Sequence, residues 1–76
     1  MELNEFVAQF AEQFDETDVN LFTPETRFRD LEEWSSLIGL SVIAMVDEEY
    51  DIALKGDDVK RSNTIQDLYE IVKSKM

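Results

Sequence analysis

The stretch WSSLIGLSVIAMVDEEY, residues 34–50, decides the fold. Apolar residues fill most positions after its two opening serines, which predicts a helix beginning around Trp34–Leu37 and running to about Tyr50. So wide an apolar surface is typical of a central helix that contacts several neighbours, or of one that keeps an apolar strip for a partner. Its acidic residues at 47–49 are slightly unfavourable near the negative end of the helix dipole.

Amphipathic segments lie on both sides of this helix. The first has apolar residues at helical spacing, namely Leu3, Phe6, Val7, Phe10 and Phe14. The last repeats that spacing from Ile65 to Val72, with Thr64 as its predicted N-cap and Asp67 as capping-box partner. Residues 59–61 predict one short helical turn after the turn signal at Gly56. The expected architecture is therefore an all-α four-helix bundle, with three longer helices and one short helix, in a single domain spanning residues 1–76.

A long first loop connects the first two helices. From residue 15 to about Glu33 there is no sustained period, and Pro24 disfavours helix at Thr23. Loops of this length are usually functional or held by their own apolar residues. Five side chains are predicted to plug the open side of the bundle, with partner binding as the alternative: Val19, Leu21, Phe22, Phe28 and Leu31. Trp34 is predicted to pack over the bundle end.

Composition excludes several classes of function. The chain has 76 residues, 18 acidic and 7 basic, with a net charge of −11 and neither His nor Cys. A Ser-His-Asp relay, a thiol nucleophile and a thiolate metal site are thereby excluded, so the chain is not expected to be an enzyme. Nucleic acid would be repelled, and no apolar run reaches the roughly 20 residues that span a bilayer. With no basic start typical of a secretion signal, a monomeric cytoplasmic protein is expected.

Two serines at the start of the central helix are the candidate site. Ser35 can serve as the N-cap, which contributes about 1 kcal/mol. A hydroxyl one residue further on, at Ser36, is not needed for capping and can face water. A phosphate ester there would meet the positive end of the helix dipole and unpaired backbone amides. A pair of serines at a helix start also has a purely structural interpretation as caps.

The residues around this pair resemble the acyl carrier protein family. The resemblance rests on the stretch 31–37 (LEEWSSL), on the acidic end of the central helix at 47–52 and on the opening of the last helix at 63–68 (NTIQDL). It implies a four-helix bundle of that type, with 4′-phosphopantetheine attached to Ser36 from coenzyme A by a phosphopantetheinyl transferase. The thiol of the arm would carry acyl groups as thioesters, for fatty-acid, polyketide or another specialised acyl-transfer pathway. The reactive sulfur would be the cofactor's.

The resemblance also implies partner and cargo sites. Partner enzymes with basic docking patches would contact Leu37, Ile38, Ser41, Val42, Met45, Asp47 and Glu48. An acyl pocket would be lined by Phe28, Val46, Leu54, Val59 and Leu68.

This chain departs from the family pattern at several positions. Ser35 replaces the usual Asp, and Ile38 and Ser41 stand where members used in fatty-acid synthesis usually carry acids, which suggests a dedicated set of enzymes. Ser62 replaces an apolar residue near the pocket and is interpreted as a turn residue that caps the last helix. The main alternative function is a non-carrier acidic helical module that docks a partner through the apolar strip at Leu37, Ile38, Val42 and Met45. Calcium binding at 47–58 is disfavoured because Gly56 is misplaced for an EF-hand loop.

Overall fold

The computed structural model describes residues 2–76, and over this range the chain is all-helical. The four helices are α1 (Leu3–Ala11), α2 (Ser36–Tyr50), α3 (Gly56–Lys60) and α4 (Ile65–Ser74). Two short 3-10 turns, Val19–Leu21 and Phe28–Asp30, lie in the long first loop. The expected four-helix bundle with three longer helices and one short helix is confirmed.

Helix α1 is shorter than its apolar stripe. It buries Phe6, Val7 and Phe10, and it ends at Ala11 although Phe14 is also buried. The amide of Phe14 bonds to the carbonyl of Ala11 at 3.0 Å, a three-residue spacing that tightens the chain beyond the helix. Phe14 therefore reaches the core from a turn, which the periodicity alone could not show.

Aromatic rings fill the core at the end of the bundle that faces the long loop. The ring of Phe10 lies 5.4 Å from that of Phe28, and the ring of Phe14 lies 4.9 Å from that of Phe22, measured between centroids. These distances are typical of favourable aromatic pairs. The rest of the core is not aromatic and comes mostly from the other helices and the α2–α3 connection: Val7, Val42, Met45, Val46, Ile52, Leu54, Val59, Ile65, Leu68 and Val72.

The long loop plugs the bundle with fewer residues than the sequence predicted. Phe22 and Phe28 are buried and Leu31 is half-buried, but Val19 and Leu21 are 66% and 56% exposed. The prediction for these two residues was wrong. The short turn that carries them is held at the surface by the carboxylate of Asp18, which accepts from the amide of Asn20 at 2.9 Å, while the two phenylalanines fill the interior.

A buried carboxylate connects α3 to the C-terminal end of α4. Asp58 is 4% exposed, accepts the amide of Lys55 at 3.0 Å, and pairs with Arg61 at 2.8 Å and Lys75 at 3.4 Å. The amide of Lys55 is the main reason that the pKa of Asp58 lies below its ordinary value.

The predicted role of Ser62 was wrong. This residue is fully buried, and its hydroxyl donates to the carbonyl of Asp58 at 2.9 Å instead of capping the last helix. A buried hydroxyl needs a partner, and the C-terminal end of α3 supplies a free carbonyl. The N-cap of α4 is Thr64, as predicted, with Asp67 completing the capping box.

Candidate functional site: the N-terminus of α2

At the start of α2, one serine caps the helix and the next is exposed, as the sequence predicted. Ser35 is the N-cap, with an extended backbone, and its hydroxyl accepts from the amide of Ile38. At 3.4 Å this is a long and therefore weak hydrogen bond. Ser36 is the first residue of the helix and is exposed to solvent. A hydroxyl that does not serve the cap therefore lies at the positive end of the helix.

The backbone amides at this helix start are only partly used. The amide of Gly39 bonds to the carbonyl of Ser35 at 3.0 Å, which is the first bond of the helix. Within residues 2–76 the amides of Ser36 and Leu37 have no protein acceptor, and the first turn carries no acidic side chain. The start of α2 thus keeps two donors and an uncompensated dipole for an oxyanion from outside the chain.

An indole ring fixes the chain where it enters α2. Trp34 packs against Phe28 with ring centroids 4.8 Å apart, as well as parallel to the ring of Phe10 at 6.5 Å. On the helix side, its ring lies 3.5 Å from the point where a Cβ atom would stand if the buried Gly39 had a side chain. The predicted packing of Trp34 over the bundle end is confirmed, and this packing positions the serine pair that follows.

The segment before the serines is held by a carboxylate that sequence reasoning missed. Glu33 accepts from the amides of Asp15, Glu16 and Thr17 at 2.7, 3.0 and 2.9 Å, and from the Thr17 hydroxyl at 2.6 Å. These bonds, led by the one from the Thr17 hydroxyl, lower the pKa of Glu33 below its ordinary value. Glu33 therefore ties the end of the long loop to the turn after α1. No spacing rule in the sequence signals it, because the partners lie 16 to 18 residues apart.

The predicted partner-binding residues do not all share a surface. Leu37 is 75% exposed, and Ser41, Asp47 and Glu48 are also exposed, whereas Ile38 is half-buried. Val42 and Met45 were predicted wrongly, since they are 0% and 6% exposed and belong to the core. They lie on the side of α2 that packs against the other helices. The outward side, here called the outer face of α2, consists of Leu37, Leu40, Ser41, Ala44, Asp47 and Glu48.

The predicted acyl-pocket residues lie together in the core. All five are buried in one cluster: Phe28, Val46, Leu54, Val59 and Leu68. Five surface cavities of 370 to 540 Å³ are lined by other residues. The acyl pocket therefore stays a prediction.

Comparison of the chain with protein-family models, curated proteins and solved structures returned no match. None of the helices within residues 2–76 combines the length and the apolar character needed to cross a lipid bilayer.

Proposed function

We propose that this protein is a carrier that holds acyl intermediates as thioesters on a 4′-phosphopantetheine arm attached to Ser36. The observation that carries the proposal is the division of labour between the two serines. Ser35 caps α2, and the hydroxyl of Ser36 is exposed beside two amides without a protein acceptor. The resemblance to acyl carrier proteins in the residues around this pair supports the same assignment.

The charge at the start of α2 and its two amides without a protein acceptor support a phosphodiester at Ser36. Attachment forms a bond from the Ser36 oxygen to the phosphorus next to the pantetheine and breaks the P–O bond of the coenzyme A pyrophosphate. Adenosine 3′,5′-bisphosphate leaves, and the proton of the Ser36 hydroxyl passes to a base of the transferase or to solvent. The new phosphodiester keeps a negative charge, which the N-terminal dipole of α2 stabilises. Ser35 in place of the family's Asp leaves that end without a carboxylate that would repel the phosphate.

The arm supplies the thiol that the chain lacks, and the protein supplies position and recognition. Partner enzymes, including the transferase, would approach the outer face of α2, where exposed leucines at 37 and 40 precede acidic residues at 47 and 48. Basic patches on such enzymes complement this face, and its charges would chiefly set the rate of association.

Mass spectrometry after loading tests the proposal. Incubation with coenzyme A, magnesium and a broad-specificity phosphopantetheinyl transferase should add one phosphopantetheinyl mass, and Ser36→Ala should abolish the gain. Ser74→Ala is the matched control, because Ser74 is an exposed serine at the end of α4, away from the outer face of α2, and it should load as the parent does. An unchanged mass with several transferases, or a gain that survives Ser36→Ala, would refute the proposal.

The second candidate is a non-carrier interaction module. It is favoured by the outer face of α2, where Leu37 and Leu40 remain 75% and 62% exposed. Exposed leucines one turn apart are the kind of anchors that a partner groove or helix accepts. This function would replace the carrier if the protein did not accept phosphopantetheine and if it bound a partner protein with an affinity that Leu40→Ser lowers.

A further inference from the structure

A second apolar surface lies on the long loop, at the short turn that precedes the buried Phe22. Val19 and Leu21, on the short turn between α1 and Pro24, expose 66% and 56% of their surfaces. Beside Val19 runs a groove of about 390 Å³ between the loop and α1, floored by Val7, Ala8 and Ala11. We call this surface, Val19 and Leu21 with the adjoining groove, the loop patch. Exposed apolar side chains next to a groove are typical of an interaction site.

Leu21 also lines a strongly acidic cavity on its other side. This cavity, of about 500 Å³, has Leu21 and Leu31 among its walls, and its remaining lining residues include five carboxylates: Glu16, Asp18, Asp30, Glu32 and Glu33. In the described part of the chain both ion pairs involve Asp58, so none of these five is neutralised by a lysine or arginine of the protein. The loop patch is therefore apolar in the middle and anionic along one edge.

This combination of charges selects the kind of partner. A second copy of this chain, with a net charge of −11, would bring carboxylates to carboxylates, and an anionic lipid surface would be repelled for the same reason. A segment with lysines or arginines beside its apolar residues would match both parts of the surface. Its cationic side chains would lay their aliphatic stems along Leu21 and Leu31 and pair with the acidic walls.

We propose that the loop patch docks a basic amphipathic helix of a partner protein. Apolar side chains of that helix cover Val19 and Leu21, and its basic side chains enter the cavity at Asp30 and Glu32. The patch is separate from the outer face of α2 and needs no arm on Ser36, so it stands whether or not the protein is a carrier.

Calorimetry with a defined peptide tests this assignment on the whole 76-residue chain. The probe is an amphipathic helical peptide of leucine and lysine, measured at about 0.15 M salt, where long-range attraction is largely screened. Leu21→Ser and the pair Asp30→Asn with Glu32→Gln should each weaken binding about tenfold, as expected for anchors of an interface. The matched controls, Met76→Ser and Asp57→Asn, alter exposed residues outside both the loop patch and the outer face of α2 and should change it less than about twofold.

Amide NMR of the unmutated protein locates the peptide independently of any variant. The proposal expects shift changes concentrated within residues 16–33. Three results would overturn it: shifts concentrated at 37–48, equal binding of a scrambled peptide of the same composition, or self-association of the protein that excludes the peptide. The loading assay at Ser36 is separate, so its outcome does not decide this one.

Discussion

The starts of α2 and α4 are built from similar residues but are completed very differently. At α4 the amides of Ile65 and Gln66 bond to the carbonyls of Thr26 and Pro24, at 3.1 and 3.0 Å. Asp67 donates its amide to the Thr64 hydroxyl at 3.1 Å, and its carboxylate accepts from the amides of Asn63 and Thr64. At α2 the corresponding first two amides, at 36 and 37, have no acceptor within residues 2–76.

This difference separates a structural helix start from one that is available for chemistry. A start whose donors are all satisfied gains stability and offers nothing to a ligand. The start of α2 lacks the stability that such bonds provide. Its position in the fold is fixed instead by the packing of Trp34 and by the weak cap of Ser35. Its free amides and the exposed hydroxyl of Ser36 are then left for an anionic group.

The largest expected effect tests whether packing locates the start of α2. Trp34→Ala should lower the free energy of unfolding by about 3 kcal/mol, because it removes the indole from its contacts with the rings of Phe28 and Phe10. Urea denaturation followed by circular dichroism measures the loss. Trp34→Phe keeps an aromatic ring and should lose clearly less. A loss for Trp34→Ala smaller than that of a single N-cap would contradict this account.

The two N-caps should differ in their contribution to stability. Thr64→Ala should cost about 1 kcal/mol, because it opens a complete capping box. Ser35→Ala should cost about 0.5 kcal/mol or less, since the bond that it removes is already long. Paired urea melts at neutral pH measure both losses, and a larger loss for Ser35→Ala would reverse the comparison.

A negative charge added at the start of α2, where two amides lack acceptors, should stabilise the protein slightly. Ser36→Asp should raise the free energy of unfolding by about 0.5 kcal/mol at low salt, because the dipole of α2 is uncompensated there. Ser41→Asp is the control, since it adds the same charge to the already acidic protein in the middle of the helix. Equal effects of the two substitutions on thermal unfolding would mean that the start of α2 holds no special positive potential.

At the start of α4, where the amides have acceptors, Asp67 should make the free energy of unfolding depend slightly on pH. The amide of Asn63 is the main cause that lowers the pKa of this carboxyl below its ordinary value. Its contribution is therefore present above the ordinary Asp pKa of about 3.9 and is lost as the pH falls through the lowered value. The parent should be more stable than Asp67→Asn at neutral pH, and this difference in the free energy of unfolding should decrease in acid. A difference that stays constant from about pH 7 to pH 2 would argue against it.

Local signals in the sequence predicted α2, α4 and their caps well, whereas α3 spans Gly56–Lys60 and so begins where a turn was expected. The bounds of α2, the N-cap at Thr64 and the exposed Ser36 at the helix start all followed from spacing and capping chemistry. These features depend on residues within four positions of one another, so the sequence displays them directly.

Features set by tertiary contacts could not be predicted in this way. Helix α2 is apolar on most sides, so only its neighbours decide that Val42 and Met45 face the core while Leu40 faces solvent. Val19 and Leu21 are apolar enough to be core residues, but Phe22 and Phe28 already fill the interior beneath the loop. The bonds from Glu33 to residues 15–17 join distant segments, and the buried position of Ser62 depends on where α3 ends.

The open start of α2 is the central claim, and amide hydrogen exchange followed by NMR tests it most directly on the unmodified protein. After correction for sequence-dependent intrinsic rates, the account predicts that the amides of Ser36 and Leu37 exchange almost as in an unfolded peptide. The amides of Ile65 and Gln66 should be protected at least about tenfold more strongly. Equal protection of the two pairs would contradict the account, because α2 would then have acceptors for its first amides just as α4 does.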